Sequence, residues 1–278
     1  MYVMPIYLLV DNGSKNPAAT LRLRELATLL GQRVDKTIHP VSLQHADTIA
    51  ATELDGKPAN TFNAFLRYHL ERGEREFIVL PLFFGMSRAL TSFIPQQVES
   101  LTNDFGDFIL KLADVIYPLP AGDDRLAQIV FDHIRTAQTM LADDKVRAVV
   151  VDHGSPIPEI TEVRKRIVQS VAALRNDTLT PGEAVMERRE GKEYDFNGEL
   201  LADWLRHQAE LGVTTVVIAM LFFLPGRHAG VGGDVEEICD NVVKDYPQLT
   251  HTVTPLITEH PLLIDILVDR LRAVDSST

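Results

Sequence analysis

Two stretches of the chain, LLVDNGSKNPA from Leu8 to Ala18 and VVVDHGSPIPE from Val149 to Glu159, carry one pattern: an apolar run, Asp-x-Gly-Ser, then a proline. Two further landmarks follow each of them in the same order. VLPLFFGMSRAL from Val79 matches IAMLFFLPGRHA from Ile218, and IYPLP from Ile116 matches VTPLI from Val253, all at nearly one offset. Self-similarity over so long a period means that the folding unit is half the chain and that the other half is its copy. The 278 residues divide into two modules close to the commonest domain size. The expected lobes are residues 1–143 and 144–278, joined near Leu141–Lys145.

Within each half, short runs rich in Val, Ile and Leu alternate with longer amphipathic stretches, the mark of β-α units around a parallel sheet buried on both faces. The strand candidates are 6–10, 37–43, 77–82 and 108–116 in the first half, and 148–151, 183–186, 214–221 and 251–256 in the second. Helices are expected over 18–30, 60–71, 124–140, 159–174, 198–211, 235–243 and 261–274. The fold class is therefore α/β, with two similar lobes, each a mostly parallel four-stranded sheet flanked by helices.

A formal net charge of -12 argues against a nucleic-acid surface and against docking on anionic lipid, since both reward clustered Lys and Arg. The single Cys239 cannot form an internal disulfide, and in the helical run DVEEICDNVV it reads as a buried structural thiol. MYVMPIYLLV reads as a first strand and lacks the basic lead of a signal peptide. No apolar run approaches the roughly 20 residues of a membrane span. The expectation is a soluble cytoplasmic protein.

In open α/β sheets, ligands bind beyond the carboxyl ends of the strands. His153 follows RAVVVD, His228 follows the strand and loop TVVIAMLFFLPGR, and Glu187 closes EAVME, so all three should reach one edge of the second sheet. Two imidazoles and a carboxylate suit a divalent first-row metal or a set of bases. The first half holds Asn12, Gln44 and roughly Ala89 at these positions, while its Gly-Ser turn and Phe-Phe pair persist. One half is thus read as working and the other as scaffold. The bland reading, drift between duplicated halves, accounts more readily for one or two such losses than for all three.

The glycine-rich GRHAGVGGDVEE lacks the GxxxxGK[ST] of a phosphate loop. Its glycines read as a close backbone approach to a flat ligand, with Asp234 near the N-terminus of the next helix. Of the basic residues around this half-site (Arg164, Lys165, Arg166, Arg188, Arg189, Lys192, Arg206 and Arg227), most read as solvated. Arg227, Arg188 and Arg189 adjoin proposed site residues and are candidates for gripping carboxylates. In EYDFNGELLADW, Tyr194 and Phe196 could wall a planar ring or simply pack, and Asn197 reads as an N-cap.

At these residues the sequence resembles the class II tetrapyrrole chelatases, the sirohydrochlorin cobalto- and ferrochelatases of cobalamin and sirohaem synthesis. The His-Gly-Ser motif before a proline loop is matched by VVVDHGSPIP, and Phe-Phe with Gly-x-His and a helix-opening acid by LFFLPGRHAGVGGDVEEI. A carboxylate ending the second strand is matched by Glu187, and the late Pro-Leu and His-Pro-Leu segment by TPLITEHPLLIDILVDRL. The resemblance implies a bilobal fold with a cleft, and gives His153, Glu187 and His228 a metal-handling and catalytic role, with Arg227, Arg188, Arg189, Tyr194 and Phe196 toward the tetrapyrrole. It implies Co2+ or Fe2+, with Ni2+ a further candidate, as substrate, no organic cofactor, a small-molecule tetrapyrrole partner, and neither nucleic acid nor membrane; a homodimer stays open. The long forms taken as typical carry the paired histidines in the first lobe, whereas here that lobe has Asn12 and Ala89. A non-catalytic carrier of tetrapyrrole or metal is the alternative, and a hydrolase using Ser155 lacks the Gly-x-Ser-x-Gly elbow.

Overall fold

A computed structural model describes residues 5–141, 146–174 and 181–276. In chain order the elements are β1 (Ile6–Asp11), α1 (Pro17–Val34), β2 (Ile38–Ser42), α2 (Phe62–Leu70), β3 (Glu76–Pro81), α3 (Ile94–Phe105), β4 (Ile109–Leu112) and α4 (Asp124–Leu141). They continue with β5 (Arg147–Asp152), α5 (Pro158–Leu174), β6 (Gly182–Val185), α6 (Leu201–Glu210), β7 (Thr215–Met220), α7 (Asp234–Asp245), β8 (Thr250–Val253) and α8 (Leu262–Asp275). The strands form two parallel four-stranded sheets ordered β2-β1-β3-β4 and β6-β5-β7-β8. This is the α/β duplication expected from the repeat.

Each central strand is an unbroken apolar run between its end residues, buried on both faces. Leu8 and Val10 join Phe62, Leu66, Leu70 and Leu101 in one core, while Val149 and Val151 join Trp204, Leu205, Val235 and Cys239 in the corresponding core of the second sheet. Cys239 is fully buried there. Burial pushes its thiol up to about 12, so it stays an inert thiol and packs as a small apolar group. No helix among the described residues is long and apolar enough to cross a membrane.

Three readings of the sequence are corrected. Helix α3 was not anticipated, because Pro95 stands in it; a proline is harmless in the first turn of a helix, where its missing N–H would be unpaired anyway. A π-helical turn, Ala89–Phe93, leads into it. The strands β4 and β8 end after four residues, earlier than their apolar runs; Val115, Ile116 and Tyr117 are buried in the loop beyond β4. The third repeat landmark is also out of register. Val79 pairs with Leu112 and Ile218 with Val253, and the Ile116 and Ile257 amides donate to Phe83 and Phe222 respectively, so Ile116 corresponds to Ile257.

The compact units do not follow the repeat. One comprises residues 1–121 with 264–278, the other residues 122–263. Helix α4, which follows β4 in the chain, packs with α5 and β7 of the second unit. Helix α8, which follows β8, belongs from Ile264 onward to the first unit. There Arg270 donates to the Val115 and Ile116 carbonyls, Asp275 accepts from Tyr7 and pairs with Lys36, and Asp265 pairs with Arg33. Of the expected joint, residues 142–145 lie outside the described residues.

Candidate functional site

In the second sheet the chain leaves β5 for β6 on one side and then crosses to β7 on the other, so the topological switch lies at the carboxyl ends of β5 and β7. His153, Glu187 and His228 stand at this edge. The amides of Met186 and Glu187 donate to the carbonyls of Asp152 and His153 at 2.8 and 3.2 Å, extending the pairing beyond β6 and carrying Glu187 alongside His153. Gly154, at φ +90°, makes the approach feasible: a Cβ there would lie 2.0 Å from the Glu187 carbonyl oxygen. That is well inside van der Waals contact, and the left-handed φ disfavours any side chain.

The side chains then meet. His153 Nε2 lies 3.2 Å from Glu187 Oε1, and the His153 and His228 rings meet edge to face with centroids 4.7 Å apart. The Nδ1 atoms face oxygen acceptors: His153 toward the Gly154 carbonyl at 3.1 Å and His228 toward Asp234 Oδ2 at 2.7 Å. A protonated Nδ1 satisfies both contacts; with it the His228 Nε2 is free, and the His153 Nε2 is directed at Glu187. His153 Nε2 then faces a carboxylate, and a proton or a metal cation fills that approach. Donor atoms about 2.1 Å from one divalent ion lie roughly 3.0–3.4 Å apart, and 3.2 Å falls within this range. Among the described residues, no three His, Cys, Asp or Glu side chains are grouped so as to hold a metal ion as they stand.

Behind the edge, buried polar residues fix the Asp-His-Gly-Ser turn. Asp152 accepts from the Gly154 amide at 3.0 Å and from Arg164 at 2.5 Å, and Arg164 also reaches Glu183 and the Asn197 carbonyl. Burial raises the Asp152 carboxyl above the usual range and the Arg164 guanidinium pulls it back only in part. Arg164 is fully buried, which corrects its reading as a solvated basic residue. Asn197, read as an N-cap, is instead buried at the end of a short 3-10 turn; it exchanges hydrogen bonds with the Ser155 backbone and accepts from Thr161. The Ser155 hydroxyl accepts from the Ile157 amide at 3.0 Å, so it closes the proline turn.

The remaining candidates divide. Arg188 is held by the Gly198 carbonyl at 3.0 Å and by Asp195 at 3.3 Å, bracing its own loop. Arg189 lies over the Tyr194 ring at 5.8 Å, and the half-buried Tyr194 and Phe196 rings are tilted neighbours 6.4 Å apart. Arg227 is almost wholly exposed and pairs with Asp234 at 3.4 Å. The sequence reading placed Asp234 at a helix start without a role at the site; its spacing of six residues from His228 was the available signal.

The first unit repeats the frame with other side chains, Asn12 and Gln44, at its edge. Gly13, at φ +91°, abuts the Gln44 carbonyl, and the Gln44 amide donates to the Asn12 carbonyl at 3.3 Å. Gln44 is therefore the counterpart of Glu187.

Residues 147–274 match the CbiX family model. No protein in a search of the curated proteins matches the chain. Among solved structures it is similar to SirB from Bacillus subtilis with Fe3+, with a TM-score of 0.64 and 14% identity over 98% of this chain and 96% of that one. SirB of the subspecies spizizenii in complex with cobalt gives a TM-score of 0.60 at 14% identity over 98% and 96% of the two chains. CbiX, the terminal enzyme of sirohaem biosynthesis in denitrifying bacteria, gives 0.61 at 16% identity over 97% and 99%. At such identities these structures share a fold with this chain.

Proposed function

We propose, from the match of residues 147–274 to the CbiX family model and the resemblance to class II chelatases, that the protein inserts Co2+ or Fe2+ into sirohydrochlorin or a related acidic tetrapyrrole. The observation that carries this reading is the pair of imidazoles in mutual contact, both with Nδ1 committed to an oxygen, beside a carboxylate at 3.2 Å. Insertion expels two pyrrole N–H protons as the metal enters. A site for it needs donors that hold the ion loosely and bases that take the protons, and neutral imidazole can serve as either. His153 and Glu187 together offer two donors to an incoming ion, which leaves the rest of its coordination to water and then to the macrocycle. His228 Nε2 stands beside them as a further donor or proton acceptor. Arg227 and Arg189 are the guanidinium groups proposed to receive substrate carboxylates, with Tyr194 and Phe196 along the macrocycle. Arg188 is left to its loop. An acidic protein at work on a small soluble substrate fits a cytoplasmic setting.

The test is anaerobic incubation with sirohydrochlorin and Co2+, Fe2+ or Ni2+, followed by absorbance against a control without enzyme. Rates no faster than the control with every metal would sink the chelatase reading, and binding without turnover would favour the carrier. His153→Ala and His228→Ala should each lower the rate by about 100-fold or more, whereas Asn12→Ala should leave it within twofold. The reverse ranking would assign the chemistry to the first unit.

A further inference from the structure

One oxygen serves two nitrogen donors in this site. Asp234 Oδ2 accepts from His228 Nδ1 at 2.7 Å and lies 3.4 Å from Arg227 Nε. Backbone bonds fix the frame around it: the Asp234 amide donates to the Arg227 carbonyl at 3.0 Å and the Val235 amide to the His228 carbonyl at 3.2 Å. The first turn of α7 therefore clamps the loop that precedes it, and His228 is held by ring and backbone alike. The Arg227 side chain alone is loose, 84% exposed and tied to Asp234 by an edge-of-range contact. An exposed pair of this kind is easily exchanged for another carboxylate.

We infer that Asp234 is a positioning residue that joins the two ends of the site, orienting His228 for the metal and restraining Arg227 until a carboxylate of the substrate takes it. The inference rests on the chelatase reading for the identity of that substrate. A carboxylate on Nδ1–H holds the imidazole in the tautomer whose Nε2 lone pair is free, and this second contact tunes a metal-binding histidine. When the tetrapyrrole draws Arg227 away, the whole of Asp234 is left to His228. Substrate binding and metal handling are thereby coupled.

Two binding measurements on the full chain test this without requiring turnover: Co2+ binding followed by its visible absorption, and anaerobic binding of metal-free sirohydrochlorin followed by its own absorption. Asp234→Asn should weaken Co2+ binding by about 10- to 100-fold, because an amide accepts from or donates to Nδ1 and no longer selects the tautomer. Asp234→Glu should restore part of that affinity. The same Asn variant should bind sirohydrochlorin severalfold more tightly, since Arg227 is released. Arg227→Gln should weaken sirohydrochlorin binding and, by leaving Asp234 to His228 alone, tighten Co2+ binding severalfold, and in the double variant both the tetrapyrrole gain from Asp234→Asn and this Co2+ gain should vanish. Unchanged Co2+ binding in the Asn variant, or a tetrapyrrole gain that survives without Arg227, would overturn the inference. If the wild type binds both ligands as described yet inserts no metal, the proposed function fails and the role of Asp234 stands; if it binds neither, both fall.

Discussion

Asp11 is the first unit's copy of Asp152, and it has lost its partner. Counting from the prolines that open α1 and α5, Leu23 stands where Arg164 stands, and Leu23 is buried in the apolar core. Asp11 is itself buried, and its Oδ1 has no hydrogen-bond partner. Desolvation pushes its carboxyl from the ordinary 3.8 up to about 6, against the smaller pull of hydrogen bonds from Ser42 and the Gly13 amide. The interval from 3.8 to about 6 corresponds to roughly 3 kcal/mol of destabilisation once the group is ionised. Between these values the folded chain binds the proton that the unfolded chain has released, so stability falls as pH rises through the window. The penalty is small, about 0.6 kcal/mol, at pH 4, vanishes well below pH 3.8 and approaches its full size above pH 6. Asp11→Asn removes the charge and keeps the hydrogen-bonding oxygen. Urea unfolding should show the variant more stable than wild type by up to ~3 kcal/mol at pH 7.5, and by only about 0.6 kcal/mol at pH 4. A variant no more stable at pH 7.5, or a difference that does not change with pH, would refute the reasoning.

Arg164→Leu would leave Asp152 buried with no cation, at a cost of about 3–5 kcal/mol. The double variant with Asp152→Asn should recover most of it in thermal unfolding, and failure to recover would mean that Arg164 matters for packing alone. Gly154→Ala places a methyl against the Glu187 carbonyl at a left-handed φ. It should lower the proposed chelatase rate by tenfold or more, whereas Gly13→Ala, with the same strain in the first unit, should cost about 1–3 kcal/mol of stability with that rate unchanged in the folded protein. Ending the chain after Leu263 should raise amide exchange across β1–β4 and spare β5–β8, since α8 closes the first unit; the opposite pattern would reassign it.

The sheets were readable because a strand buried on both faces writes itself as an unbroken apolar run, and the duplication supplied every strand twice. That His153, Glu187 and His228 meet was readable for a related reason: the comparison of Asn12 with His153 and of Gln44 with Glu187 separates what the turn requires from what differs between the halves. Arg164 was not readable, since on an amphipathic helix a buried guanidinium and a solvated one look alike until the paired Asp152 and Glu183 are seen across the fold. Asn197 was misread because local spacing suggests a cap, whereas its partners Ser155 and Thr161 lie about forty positions earlier. The Pro-Leu register failed for want of geometry: Pro118 and Pro255 look equivalent, but only the ladder shows that the loops reach them at different points.

The placement of α8 has a temporal consequence. Residues 122–263, which carry the candidate site, form a unit continuous in sequence, while the first unit lacks its last helix until Ile264–Asp275 has been made. Domains ordinarily fold on the ribosome from the N-terminus onward. Here the earlier-made sheet must wait, with the face meant for α8 uncovered, while the later one is completed, so the unit begun first is the last to close.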